Sequence, residues 1–92
     1  MTCDDARPVR LTCVSADGSY ELAPGADGAD LVARLGAHED ALASLRAEYA
    51  DAAAQIDRLR DEGRTRTATY RQLVANRITL KGILDRFAEV GL

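Results

Sequence analysis

Apolar and polar residues change rhythm once along this chain. Over the first two dozen positions they alternate, Val9, Leu11 and Cys13 with Arg10 and Thr12, then Tyr20 and Leu22 with Ser19 and Glu21. A period of two sends successive side chains to opposite faces, which predicts two short β-strands. Asp17-Gly18 lies between the runs, and this dipeptide suits the two positive-φ positions of a two-residue type I′ turn. Closing the hairpin there pairs Ser15 with Tyr20 and Cys13 with Leu22, so Val9, Leu11, Cys13, Tyr20 and Leu22 share one face. A lone two-stranded hairpin is marginal in water, so that face needs a surface to lie on.

Pro24-Gly25-Ala26-Asp27-Gly28 breaks the alternation, and Asp27 is placed to cap a helix that has Asp30 in its first turn. Beyond it the apolar spacing settles into steps of four and three: Leu31, Leu35, His38, Leu42, Leu45, Tyr49, Ala52, Ile56, Leu59. This is a coiled-coil-like seam, with His38 and Ala52 as its weak members, on a helix roughly 45–50 Å long. Gly63 suits the position just past the helix end, and Thr65 and Thr67 offer caps for a second helix. That helix repeats the seam as Tyr70, Leu73, Arg77, Leu80, Leu84, Phe87 and Gly91. Folding back near Arg64 opposes Leu59 with Tyr70, Ile56 with Leu73, Ala52 with Arg77, Tyr49 with Leu80, Leu45 with Leu84, and Leu42 with Phe87. One antiparallel register satisfies every pair, and the short connection agrees with it. At Arg77 the seam carries a charge opposite its smallest residue, and Glu48 and Asp51 are near enough in sequence to receive the guanidinium.

The expected architecture is therefore mainly α: a β-hairpin segment over 1–25 and a long antiparallel helical hairpin over 26–92, in one domain. Two sets of apolar residues are left over. Leu31, Val32 and Leu35 extend past the end of the second helix, and Val74, Ile78, Ile83 and Val90 widen its apolar arc to roughly 240°. One antiparallel neighbour covers far less than that. These seven side chains are the expected self-association surface, and a homodimer closing into a four-helix bundle is the simplest way to bury them. An unidentified protein is the other partner such a surface suits.

Composition narrows the function classes. Ninety-two residues leave no room for a catalytic domain beside a regulatory one, and so small a chain buries a modest core. Hydrophobic residues at 47% argue for a folded chain, and aromatics at only 4% favour close-packed helices over a β-sandwich. No run is apolar enough to span a membrane, and Met1-Thr2-Cys3-Asp4-Asp5 lacks the basic start of a signal peptide, so the cytoplasm is the expected compartment.

Net charge is −3, but residues 1–57 carry 4 basic and 11 acidic side chains, whereas 58–81 carry 7 basic and 2 acidic ones. The basic segment concentrates Arg58, Arg60, Arg64, Arg66 and Arg71 around the helix–helix turn. Guanidinium forks match phosphates, so the alternative function is a small nucleic-acid-associated accessory factor gripping through this end. Against it, Asp57, Asp61 and Glu62 lie among the same residues and no aromatics interleave except Tyr70, which the seam already uses. Cys3 and Cys13 could be joined only by His38 in a metal site, one ligand short of a closed one, so Cys13 reads as a small hydrophobe. No serine or cysteine has an acid–base neighbour, and there is no glycine-rich phosphate loop. The expectation is a non-enzymatic interaction module without cofactor or metal.

From Ile56 through the turn Gly63-Arg64-Thr65 to Tyr70, Leu73, Phe87 and Gly91-Leu92, the chain resembles short bacterial helical-hairpin proteins often encoded near mobile elements. Their tails show a basic Gly-Lys/Arg-Thr turn, then an aromatic and leucines, then a closing aromatic and Gly-Leu or Gly-Ile. The resemblance covers the last 37 residues and implies a helical hairpin. It assigns no activity and no site residue.

Overall fold

The computed structural model describes residues 10–92. Cys3 and the expected strand start at Val9 lie outside the described residues. The elements follow in the order β1 (Thr12–Val14), β2 (Tyr20–Leu22), α1 (Gly28–Asp61) and α2 (Ala68–Ala88). Packing divides the chain into two compact units, 10–38 and 39–92 among the described residues, with the boundary inside α1.

In the first unit β1 and β2 pair antiparallel, Thr12 with Leu22, Cys13 with Glu21 and Val14 with Tyr20. The register is one residue away from the expected one. The turn holds three residues, Ala16-Asp17-Gly18: Gly18 N–H donates to the Ser15 carbonyl (3.0 Å) and Ser15 N–H to that of Ser19 (2.8 Å). A type I′ turn needs positive φ at both Asp17 and Gly18, but only Gly18 adopts it (φ 88°). Asp17 instead uses its carboxylate. One oxygen accepts from the Ser15 hydroxyl, the Ser19 hydroxyl (2.7 Å) and the Ser19 N–H (3.0 Å), and these bonds hold the carboxyl well below the usual aspartate range. The outcome is a type I turn closed by a glycine bulge.

That single step exchanges the faces. Leu11 and Cys13 now lie with Glu21 and Ala23, while Tyr20 and Leu22 lie with Thr12 and Val14. Leu11 is the buried side chain of the unit, whereas Val14, Tyr20 and Leu22 are exposed. Pro24-Gly25 then turns the chain, with Ala26 N–H bonded to the Ala23 carbonyl (3.0 Å) and Gly25 at φ 85°, and Asp27 caps α1 by accepting from Asp30 N–H (2.8 Å). Replacing Gly18 by valine is expected to destabilise the hairpin by at least about 1 kcal/mol, since a β-branched residue resists positive φ. Backbone amide exchange at Ser15 and Ala23, whose N–H groups are bonded across the hairpin to the Ser19 and Leu11 carbonyls, reads this, and unchanged protection in the variant contradicts the turn.

In the second unit α1 and α2 form the expected helical hairpin. Gly63 (φ 72°) ends α1 with Arg64 N–H on the Leu59 carbonyl (2.8 Å) and Gly63 N–H on that of Arg60 (3.0 Å). The same pair of bonds, Leu92 to Phe87 and Gly91 to Ala88, closes α2 around Gly91 (φ 88°). Both ends therefore spend their orphan carbonyls on a glycine-centred Schellman cap. Of the two threonines offered, Thr67 caps α2, its hydroxyl accepting from Tyr70 N–H (3.0 Å). The buried side chains are Ala52, Ile56, Leu59 and Leu80, every one a seam position. Tyr49, Tyr70, Leu73, Arg77, Leu84 and Phe87 are half-buried along the same stripe.

Candidate functional site

Three surfaces of the second unit, and a cleft of the first, hold the residues with chemistry to offer. The first is the arginine-rich end of the helical hairpin. Arg58 and Arg64 both reach Glu62, at 4.0 and 3.4 Å, from mostly exposed positions. Arg60 Nε donates to the Tyr70 hydroxyl (2.9 Å), which raises the Arg60 pKa, and Arg71 donates to the Arg66 carbonyl (3.4 Å). Four of the five arginines are thus engaged by their own chain. The Arg66 side chain makes no bond among the described residues. Exposed pairs of this kind contribute little stability, but they occupy the forks that a phosphate would need. Tyr70 serves the hairpin register through Arg60, so it is not a free stacking surface.

The second is Arg77. Its side chain is half-buried at its seam position, yet the expected acceptors are engaged elsewhere. Glu48 takes the Ser44 hydroxyl (3.5 Å) and Asp51 the Gln55 amide (2.6 Å), and among the described residues no ion pair reaches Arg77. Neighbouring Lys81 pairs with Asp85 at 3.0 Å, which raises its pKa, with a smaller contribution from Tyr49. Each acid here prefers a partner one helical turn away on its own helix, because that geometry costs no long reach across the seam.

The third is the outer surface of α2. At about 100° per residue, Ile83 and Val90 fall on one flank of the seam and Ile78 on the other, about 140° from Ile83. They are 38%, 72% and 64% exposed, respectively. Val74, on the Ile78 flank, is half-buried by its own chain. The wide apolar arc therefore resolves into two separate stripes. The flank through Gln72, Asn76, Thr79, Ile83, Arg86 and Val90 carries one charge, and that through Arg71, Val74, Ile78, Lys81, Asp85 and Glu89 carries four.

In the first unit Leu31 is half-buried, and Val32 and Leu35 are exposed. Leu31, Leu35 and His38 line a cleft of about 240 Å³ with Arg10, Leu11, Thr12 and Arg34. The 4-3 spacing puts His38 on the seam, whereas Arg10 and Arg34 carry no signal in the sequence that sets them apart. The helical half of the constellation was readable, since Leu31, Arg34, Leu35 and His38 follow the spacing of one helix face. The contribution of β1 was not, because it depends on how the hairpin is seated.

Among the described residues no cluster of three histidine, cysteine or acidic side chains is arranged to hold a metal, and no helix is long and apolar enough to cross a membrane. Compared with known proteins, the chain matches no family model, no curated sequence and no solved structure.

Proposed function

We propose that this chain is a non-enzymatic protein-interaction module that self-associates through the Ile83–Val90 flank of α2, two hairpins closing into a four-helix bundle. The observation that supports it is the exposure of Ile83 and Val90, 38% and 72%, two turns apart on a flank with a single charge. Seven-residue spacing is what a coiled-coil neighbour reads. A stripe whose one charge is Arg86 costs less to desolvate than the flank bearing Arg71, Lys81 and Asp85. The exposed parts of two such side chains from each protomer, 38% and 72%, contribute about 3–7 kcal/mol on burial. Set against a cost of association of about 4–15 kcal/mol, this makes the dimer a weak one whose population depends steeply on protein concentration. A two-fold axis makes the contact self-complementary and closes it at two copies.

Sedimentation equilibrium at tens of micromolar is expected to give about twice the 9.9 kDa chain mass. Ile83→Glu with Val90→Glu is expected to return the protein to 9.9 kDa with its helical circular dichroism intact, whereas Ile78→Glu leaves the dimer in place. A wild-type chain that stays monomeric at high concentration, fully helical, removes this reading.

A further inference from the structure

The β-hairpin is a sheet of two strands, so each strand has an edge without a neighbour. The bonds near its two ends fix which backbone groups face those edges. Ser15 N–H is bonded to the Ser19 carbonyl and Ala23 N–H to that of Leu11, and the register pairs Cys13 with Glu21 midway between them. Antiparallel ladders alternate bonded and non-bonded pairs, so in Val14–Tyr20 and Thr12–Leu22 the N–H and C=O groups point outward. Among the described residues the N–H groups of Tyr20 and Leu22 have no partner. The Leu22 carbonyl meets only the Cys13 thiol, at 3.9 Å, a weak donor that leaves a lone pair open. The two edges differ. Thr12 and Cys13 are half-buried and Thr12 lines the cleft beside α1, whereas every residue of β2 is exposed. Tyr20 and Leu22 are 71% and 43% exposed on one face. Glu21 lies between them on the other, exposed and without an ion pair among the described residues. No lysine or proline within β2 guards this edge.

We infer that the outer edge of β2 takes up an extended peptide segment of the pattern apolar–basic–apolar, added as a third strand. A strand laid along this edge exchanges N–H···O bonds with Tyr20 and Leu22, which gives affinity without regard to sequence, and its side chains supply the selection. Residues opposite Tyr20 and Leu22 share the exposed face with them, so apolar side chains there cover both. The residue between stands opposite Glu21 in a non-bonded pair, where side chains approach most closely. Lysine or arginine at that position completes an opposite-charge pair, and an acidic residue is repelled. The surrounding charge agrees, because residues 10–38 carry 4 acidic side chains and 2 basic ones. The same carboxylate argues against a second copy as the occupant. Two-fold antiparallel pairing of β2 with itself about Glu21 sets the two Glu21 carboxylates opposite each other, a like-charge contact. A strand of three residues selects a short segment, and the binding is correspondingly weak. This inference is independent of the self-association, since it uses residues of the other compact unit.

The probe is a peptide blocked at both ends, Gly-Ser-Thr-Val-Lys-Val-Thr-Ser-Gly, titrated to millimolar concentration into the isotope-labelled full chain. Saturable amide shifts are expected at Tyr20, Glu21 and Leu22, and hydrogen exchange at the Tyr20 and Leu22 N–H groups is expected to slow at least about fivefold at saturation. The same peptide N-methylated at both valines keeps its side chains but loses the ladder donors, and is expected to bind at least about tenfold more weakly. Glutamate in place of the peptide lysine is expected to weaken binding about threefold, and Glu21→Gln to erase that difference while the lysine peptide still binds. Both peptide comparisons use the unaltered chain, so they decide the question whatever the substitution does to the hairpin. Equal binding of the N-methylated peptide, equal binding of the lysine and glutamate peptides, or shifts that do not saturate overturn the proposal. Shifts at Thr12 and Val14 with Tyr20 and Leu22 unmoved assign the strand to the other edge and overturn it too. So does slowed exchange at Tyr20 and Leu22 that rises with protein concentration alone, which makes a second copy the occupant.

Discussion

Replacing Ile56 by alanine is expected to lower the stability of the helical hairpin by about 2–5 kcal/mol. Among the described residues Ile56 is the one large side chain with no exposed surface at all, and Ala52, Leu59 and Leu80 are the other buried side chains of residues 39–92. Truncation removes its transfer free energy and leaves a cavity that rigid helices close only in part. A small domain holds a total of about 0.05–0.15 kcal/mol per residue, so this loss takes a large share of the reserve of residues 39–92. Urea unfolding followed by circular dichroism reads it as a fall in midpoint at unchanged slope. A loss under about 0.5 kcal/mol, the range of surface substitutions, contradicts a core centred on Ile56.

Leu80→Ala and Ile78→Ala form the second expected contrast. The two residues lie two positions apart on α2, both apolar and both in a helix-permissive setting. Leu80 is 4% exposed and Ile78 is 64% exposed. Leu80→Ala is expected to cost about 2–5 kcal/mol of hairpin stability, and Ile78→Ala to stay within about 0.5 kcal/mol. Alanine is the best helix former, which trims the cost at the exposed site further. Measured in parallel by urea unfolding at low concentration, equal costs at the two positions contradict the register that turns Leu80 inward and Ile78 out.

The helices were legible because their signals are local and repeated. A 4-3 spacing of mostly apolar residues across nine positions of α1 and six of α2 leaves few registers, and the observed burial of Ala52, Ile56, Leu59 and Leu80 follows it. Asp27, Gly63 and Thr67 announced helix ends because capping depends on a side-chain oxygen or on a positive φ, properties that belong to one residue. The hairpin was legible in existence but not in register. Asp17-Gly18 permits both a two-residue and a three-residue turn, and the choice falls to the bonds of the Asp17 carboxylate with Ser15 and Ser19. A difference of one residue then moved Tyr20 and Leu22 to the face opposite Leu11.

Sites depend on more than one element and were correspondingly less visible. The arginines around the turn stood out as a cluster in the sequence. That Glu62, Tyr70 and the Arg66 carbonyl engage four of them is a matter of side-chain geometry. Arg77 was recognised as a charge on the seam, but Glu48 and Asp51 bond within their own helix instead of reaching it. By itself, then, the order of residues determined two helices, their antiparallel pairing and the presence of a hairpin, since periodicity and capping act over a few bonds or repeat along a whole element. Tertiary structure alone decided which hairpin face turns inward and which arginines remain available. It also brought Arg10 to Arg34 and His38, because each of these depends on side chains distant in sequence competing for the same space and the same hydrogen bonds.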